Sequence, residues 1–382
     1  VNGPTDGKEE LNLLYTEVEE DLRASVRSLL ADKCAWDAVL ARVENEAGDV
    51  ADKALWRDLA EMGVTGLPVP EERGGAGVTL RETAVVAEEL GRAAAPVPFL
   101  GSAVLATAAL LALGDDAEAA AGETLAALAS GERDAALVVP LATEPDAAFP
   151  EAVRADGGAL TGEVRGVVDA LTADVLVVPA TGPDGPGLYL VEAGDAVRTP
   201  VVSLDLTRPL AAVELRSAPA RALAVGKKAE TAVQSALVTG AALLSAEQLG
   251  VAEWALDTTV AYLKTRTQFG RPVGSFQALK HRLADLWVAI SQARAVVRNA
   301  ADAVATDSPE APLAAALAQA FVSGVAVKAA EEAVQLHGGI GFTWEHPAHL
   351  YLKRAKSAAI ALGTADRHRL TIARLVELPV GA

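Results

Sequence analysis

The chain has 382 residues, of which 51% are hydrophobic, with one cysteine and a formal charge of −18. That length exceeds a typical single core and leads us to expect two or three domains. The charge argues against nucleic acid and anionic membranes as main partners. Cys34 alone can form no intrachain disulfide and leaves a zinc site without thiolates, which fits a reducing cytoplasm. The start, Val1-Asn2-Gly3-Pro4, shows no basic or apolar leader region, and its lack of Met suggests processing or a cloning remnant. Apolar runs such as 101–113 are Ala-rich and shorter than the roughly 20 residues that span a bilayer. A soluble, cytoplasmic, mainly helical protein is expected, because alanine is the best helix former.

From Glu9 to about Ser130 the pattern is helical: Leu22, Val26, Leu29 and Leu30 recur at helix spacing, as do Leu55, Leu59 and Met62. The break from Pro68 to Gly77 reads as a loop, and Pro96 and Pro98 end the helix that follows it. The texture then changes. Short β-rich runs at 136–140, 175–178, 187–191 and 211–215 are separated by turns such as Gly182-Pro183-Asp184-Gly185. They predict an antiparallel β unit, sandwich or barrel. From about Lys228 helices are expected over 230–267, 277–304, 312–336 and 364–377, packed as a bundle. The expected domains are an N-terminal helical domain at 1–133, a β domain at 134–226 and a C-terminal helical bundle at 227–382.

Three C-terminal segments carry a resemblance. They are Arg266-Thr267-Gln268-Phe269-Gly270 with Ser275-Phe276-Gln277, then Gln335-Leu336-His337-Gly338-Gly339-Ile340-Gly341-Phe342, then Gly363-Thr364-Ala365-Asp366. With Val69-Pro70-Glu71-Glu72-Arg73-Gly74-Gly75 and Thr143-Glu144-Pro145, they make the chain similar to the acyl-CoA dehydrogenase family over nearly its whole length. The resemblance implies the family fold: an N-terminal helical domain, a β domain and a C-terminal four-helix bundle. It also implies FAD, a shared cofactor site in a homo- or hetero-oligomer, and electrons passed to an electron-transfer flavoprotein. Arg266 would hold the flavin pyrophosphate with its planar fork. Gln268 and Phe269 would line the same cofactor, and Gln277 would reach it across a subunit boundary. Gln335, Gly338 and Gly339 would let backbone approach the adenosine half, since glycine has no Cβ. Thr364 and Asp366 stand where family members bond the cofactor. No metal site is expected, because His346 and His349 have no further ligand near them.

Departures from the family pattern decide the chemistry. Asp146-Ala147-Ala148-Phe149-Pro150 replaces a Gly-Ser-Asp element, and Val167-Val168-Asp169-Ala170 replaces a Trp-Ile/Val-Thr flavin contact. Leu362 takes the place of the family's catalytic glutamate, and a leucine accepts no proton. Other members carry the base on the long helix before Arg266, at a position that aligns with Gly240. Here Gly240, Ala241 and Ala242 are expected to leave open volume. The only charged residue between Thr231 and Ala252 is Glu247, with Leu243, Leu244, Gly250 and Val251 one turn away. A carboxylate in such apolar surroundings is desolvated and becomes a stronger base, so Glu247 is the expected base. The bland alternative places it on an exposed stripe with Glu253 and Asp257. The runs at 91–98, 247–250 and 344–350 look like actinobacterial members, some of which oxidise CoA-thioester side chains of steroids. Several of those pair two different chains, of which one supplies the base. The leading expectation is thus an FAD-dependent dehydrogenase of a large or branched acyl-CoA with Glu247 as base. Alternatives are a non-catalytic partner subunit and a flavin oxidase or monooxygenase on the same fold.

Overall fold

The computed structural model describes residues 13–44, 51–114 and 119–378. The beginning of the expected helical stretch, 9–12, lies outside the described residues. Helices α1 (Glu17–Lys33), α2 (Trp36–Val43), α3 (Lys53–Glu61) and α4 (Leu80–Ala93) form the first unit. A π-helical segment, Phe99–Ala106, leads into α5 (Thr107–Leu111), and α6 (Ala119–Ala129) closes the unit. Both α1 and α4 start with a capping box, Thr16 with Glu19 and Thr79 with Glu82, which satisfies free N–H groups reciprocally. The Pro68–Gly77 loop folds back tightly: a Cβ on Gly75 would lie 2.0 Å from the Val69 carbonyl oxygen.

The β unit holds β1 (Ala135–Leu137), β2 (Val153–Asp156), β3 (Ala159–Val168), β4 (Val175–Gly182), β5 (Gly185–Glu192), β6 (Ala196–Val201), β7 (Leu210–Pro219) and β8 (Arg221–Val225). They form one sheet in the order β6-β7-β3-β2-β4-β5-β8, with β1 against β4. The expectation of a wholly antiparallel unit is corrected at one strand, since β4 pairs in parallel with β1 and with the end of β2. Val153, Leu160, Val164, Leu176, Val213 and Leu215 build a core of the sheet's own, separate from the larger helical core.

The bundle follows: α7 (Lys227–Thr265), a small hairpin of β9 (Thr267–Gln268) and β10 (Arg271–Pro272), α8 (Gln277–Ala305), α9 (Ala311–His337), α10 (Ala348–Ala358) and α11 (Ala365–Leu375). Helix α7 is the axis of the molecule. It is apolar nearly all round and buried from Ala236 to Ala252, as befits a helix with neighbours on every side. Helices α7 and α9 are long and apolar enough to cross a membrane by composition, yet here most of each is covered by the fold. The crossing of α4 over α7 is made by two glycines. A Cβ on Gly91 would lie 2.0 Å from the Glu247 carbonyl oxygen, and one on Gly250 would lie 1.8 Å from that of Glu88. No side chain fits between these backbones.

Candidate functional site

A cleft of about 410 Å³ opens between the loop at 143–150, the first turns of α7 and the end of α11. Thr143, Pro145, Phe149, Gln234 and Leu237 line it, with Lys227 and Arg374 at its charged edges. Lys227 pairs with Glu230 at 3.2 Å. Asp146 accepts hydrogen bonds from the Thr371 hydroxyl (2.7 Å) and the Arg374 guanidinium (2.9 Å), which fastens the loop to α11. Burial alone would raise the Asp146 carboxyl, but these two donors outweigh it and hold the group below the usual carboxylate range.

The segment before α11 is held in a strained conformation. Leu362 is fully buried at φ 54°, a left-handed backbone that a branched side chain rarely adopts. Its N–H donates to the Leu141 carbonyl (2.7 Å), and the imidazole of His368 bonds its carbonyl (2.9 Å). Burial depresses the His368 imidazole, so it stays neutral, with Nε2 as the donor. Gly363 is packed so closely that a Cβ there would lie 3.0 Å from His368 Nε2 and 3.1 Å from Glu144 Cβ.

Leu362 faces position 240. A Cβ added to Gly240 would come within 2.5 Å of Leu105 and 3.1 Å of Leu362. The two places where the resemblance puts a base therefore lie side by side, and both are apolar. The open volume expected at Gly240, Ala241 and Ala242 is not there: Ala241 and Ala242 are fully buried, and Leu105 and Leu362 occupy the space beside Gly240.

Glu247 also departs from expectation. It is buried, so it does not mark an exposed stripe, and it is not an unpaired carboxylate among leucines. Both its oxygens accept from Arg208, on the loop between β6 and β7, and Oε1 also accepts from Arg354 of α10 at 3.3 Å. A general base needs an oxygen open to the substrate's proton, and here both oxygens are engaged by guanidinium donors. Its backbone packs on Gly91, at the α4 crossing.

The other expected site residues are surface groups. Arg266, Gln268, Phe269 and Gln277 are exposed on the α7–α8 connection, and Phe269 is 90% exposed. Gln335, Gly338 and Gly339 are exposed at the end of α9, and a Cβ on either glycine would meet nothing within 4 Å. The Tyr262 and His337 rings stack at 4.5 Å, which joins the last turns of α7 and α9 and sets these two groups at the same end of the bundle. Thr364 and Asp366 are exposed at the start of α11, where Thr364 caps the helix and Asp366 pairs with Arg369 at 2.6 Å. Sequence reasoning missed Leu105, Arg208, Arg354 and His368. Only His368 left a signal, since it follows the capping Thr364 by one helical turn.

Chain and fold can be matched to known proteins. The family model described as the acyl-CoA dehydrogenase N-terminal domain matches residues 16–132, and that of the C-terminal domain matches 231–376. The acyl-CoA dehydrogenase IpdE2 of Mycolicibacterium smegmatis is 40% identical over 91% of this chain and 95% of its own. The structure of the Tcur3481-Tcur3483 steroid ACAD is 32% identical, with a TM-score of 0.82 over 94% of this chain and 98% of that one. The ChsE4-ChsE5 complex from Mycobacterium tuberculosis is 29% identical, with a TM-score of 0.84 over 97% and 100%. The order of helical unit, β sheet and helical bundle, with these matches, defines a flavoprotein oxidoreductase. The chain belongs to the acyl-CoA dehydrogenase family.

Proposed function

We propose that this chain takes part in FAD-dependent α,β-dehydrogenation of an acyl-CoA thioester as a subunit that does not supply the base. A second chain of the same fold would carry the carboxylate that removes the Cα proton. The observation that carries this reading is the apolar contact of Leu105, Gly240 and Leu362, which leaves neither family position able to accept a proton.

The residues fit FAD unevenly. At the end of the bundle Arg266, Gln268, Phe269, Gln335, Gly338 and Gly339 present a cation, an exposed ring and open backbone, the features a dinucleotide needs. Gln277 stands at the same connection, and Thr364 and Asp366 offer polar groups at the start of α11. The segment that stands where the resemblance puts a flavin contact fits a ring poorly. Val167, Val168, Asp169 and Ala170 are all buried, so this segment turns no polar side chain toward a ring. The chain would therefore lend its exposed groups to FAD held mainly by its partner. FAD supplies the hydride acceptor when bound, and an electron-transfer flavoprotein would remove the electrons. The likeness to a steroid ACAD and to a two-chain complex supports a bulky acyl group and a hetero-oligomer.

The test is the visible spectrum of the chain alone and after mixing with a base-bearing family member, before and after anaerobic addition of acyl-CoAs that include a steroid side-chain thioester. Bleaching only in the mixture is the expected result. Bleaching by the chain alone that Glu247→Gln abolishes would overturn this reading and make Glu247 the base.

A further inference from the structure

The ion pairs around Glu247 extend into a cluster at which all three units of the chain meet. Arg354 of α10 binds Asp205 at 2.8 Å and Glu247 at 3.3 Å. It also donates to the Thr207 hydroxyl (2.6 Å) and to the carbonyl of Ala95, just past α4 (3.4 Å). Arg208 holds Glu247. Asp169, at φ 57° in the turn after β3, accepts from the N–H of Gly101 in the π-helical segment at 2.8 Å. Asp169, Asp205, Arg208, Glu247 and Arg354 are all buried.

The charges do not balance. Two guanidiniums face three carboxyl groups, and Asp134, in front of β1, adds a further negative field at Asp169. Arg354 with Asp205 and Arg208 with Glu247 make two neutral pairs. Asp169 is left over, with a backbone N–H as its hydrogen-bond partner. An ionised carboxyl there would leave a net negative charge in a buried junction, which is costly. We infer that Asp169 keeps a proton in the folded chain, and that this proton completes a lock joining the β unit to both helical parts which loosens as pH rises. Burial, with Asp134 adding to it, pushes the Asp169 carboxyl up to about 7 against the pull of the Gly101 N–H, Arg208 and Arg354. A carboxyl raised above its unfolded value stabilises fully below the ordinary carboxylate range and loses that contribution as pH climbs through its folded value.

The test is the melting temperature of the full chain, its Asp169→Asn form and its Glu247→Gln form between about pH 5 and 8. Asn keeps the acceptor for Gly101 and cannot ionise. The wild type should lose on the order of 5 °C relative to Asp169→Asn over that range. Glu247→Gln frees Arg208 to pair with Asp169, so its profile should flatten in the same way. Parallel profiles for wild type and Asp169→Asn would overturn the inference. Should Asp169→Asn fail to fold, a Glu247→Gln profile parallel to wild type would overturn it equally.

Discussion

Leu362 shows how much chemistry one side chain can remove while its surroundings stay in place. The left-handed backbone, the bond to Leu141 and the bond from His368 all persist around a group that cannot take a proton. Leu362→Glu would therefore need no change of backbone, but it would set a carboxyl against Leu105 and Gly240. We expect it to cost about 3 kcal/mol at neutral pH, part of it regained on acidification, because a protonated carboxyl is cheaper to bury. Urea unfolding at two pH values measures this. Glu247→Gln should lower stability by about 2 kcal/mol, since it breaks the buried pairs with Arg208 and Arg354, for which Asp169 is only a partial replacement. If Glu247 has no catalytic role, that loss of stability comes without loss of single-turnover flavin bleaching in the assembled enzyme. The apolar neighbours of Glu247 were legible in the sequence. Its partners were not, because Arg208 lies 39 residues before it and Arg354 lies 107 after it. Local spacing reports what shares a helix face and says nothing about a cation delivered by another element.

Elements were read best where periodicity was long. Helices expected over 277–304 and 312–336 are α8 and α9 to within a residue or so, because a buried stripe of alanine, leucine and valine repeats along each. Strands fared unevenly. The runs that became β1, β4, β5 and β7 were apolar enough to see, whereas β2, β3, β6 and β8 were missed. In β3, Gly162, Glu163, Arg165 and Gly166 break the apolar alternation, and β6 lies at the sheet edge with little burial. Glycine at the α4–α7 crossing gives a sharp expectation at this scale. Gly250→Ala should destabilise the chain by about 3 kcal/mol, more than its better helix propensity could offset, as measured by thermal or urea unfolding. The ring stack at the end of α9 adds a pH-dependent one. Burial, His337 and His349 hold His346 at about 4, below its ordinary 6.5. Its neutral form is favoured in the fold, so the stability it contributes is present above about 6.5 and is lost as pH falls through about 4. His346→Phe keeps a ring against His337, 4.2 Å away, and should remove that part of the acid sensitivity.

At the scale of the whole molecule, the order of helical unit, sheet and bundle was plain from composition and texture, and the motifs named the family. What one chain holds by itself was not plain. Seven expected cofactor groups sit exposed at one end of the bundle, where they await something outside this chain. The glycine crossing of α4 and α7 bears on how the chain can move. Its two backbones mesh at the height of a carbonyl, so slippage by one residue would drive a side chain into the opposite main chain. That joint is a fulcrum without play. Mechanical compliance is left to exposed connections such as 202–204, ahead of the buried anchor of Asp205 and Arg208, with the helical frame as a rigid mount.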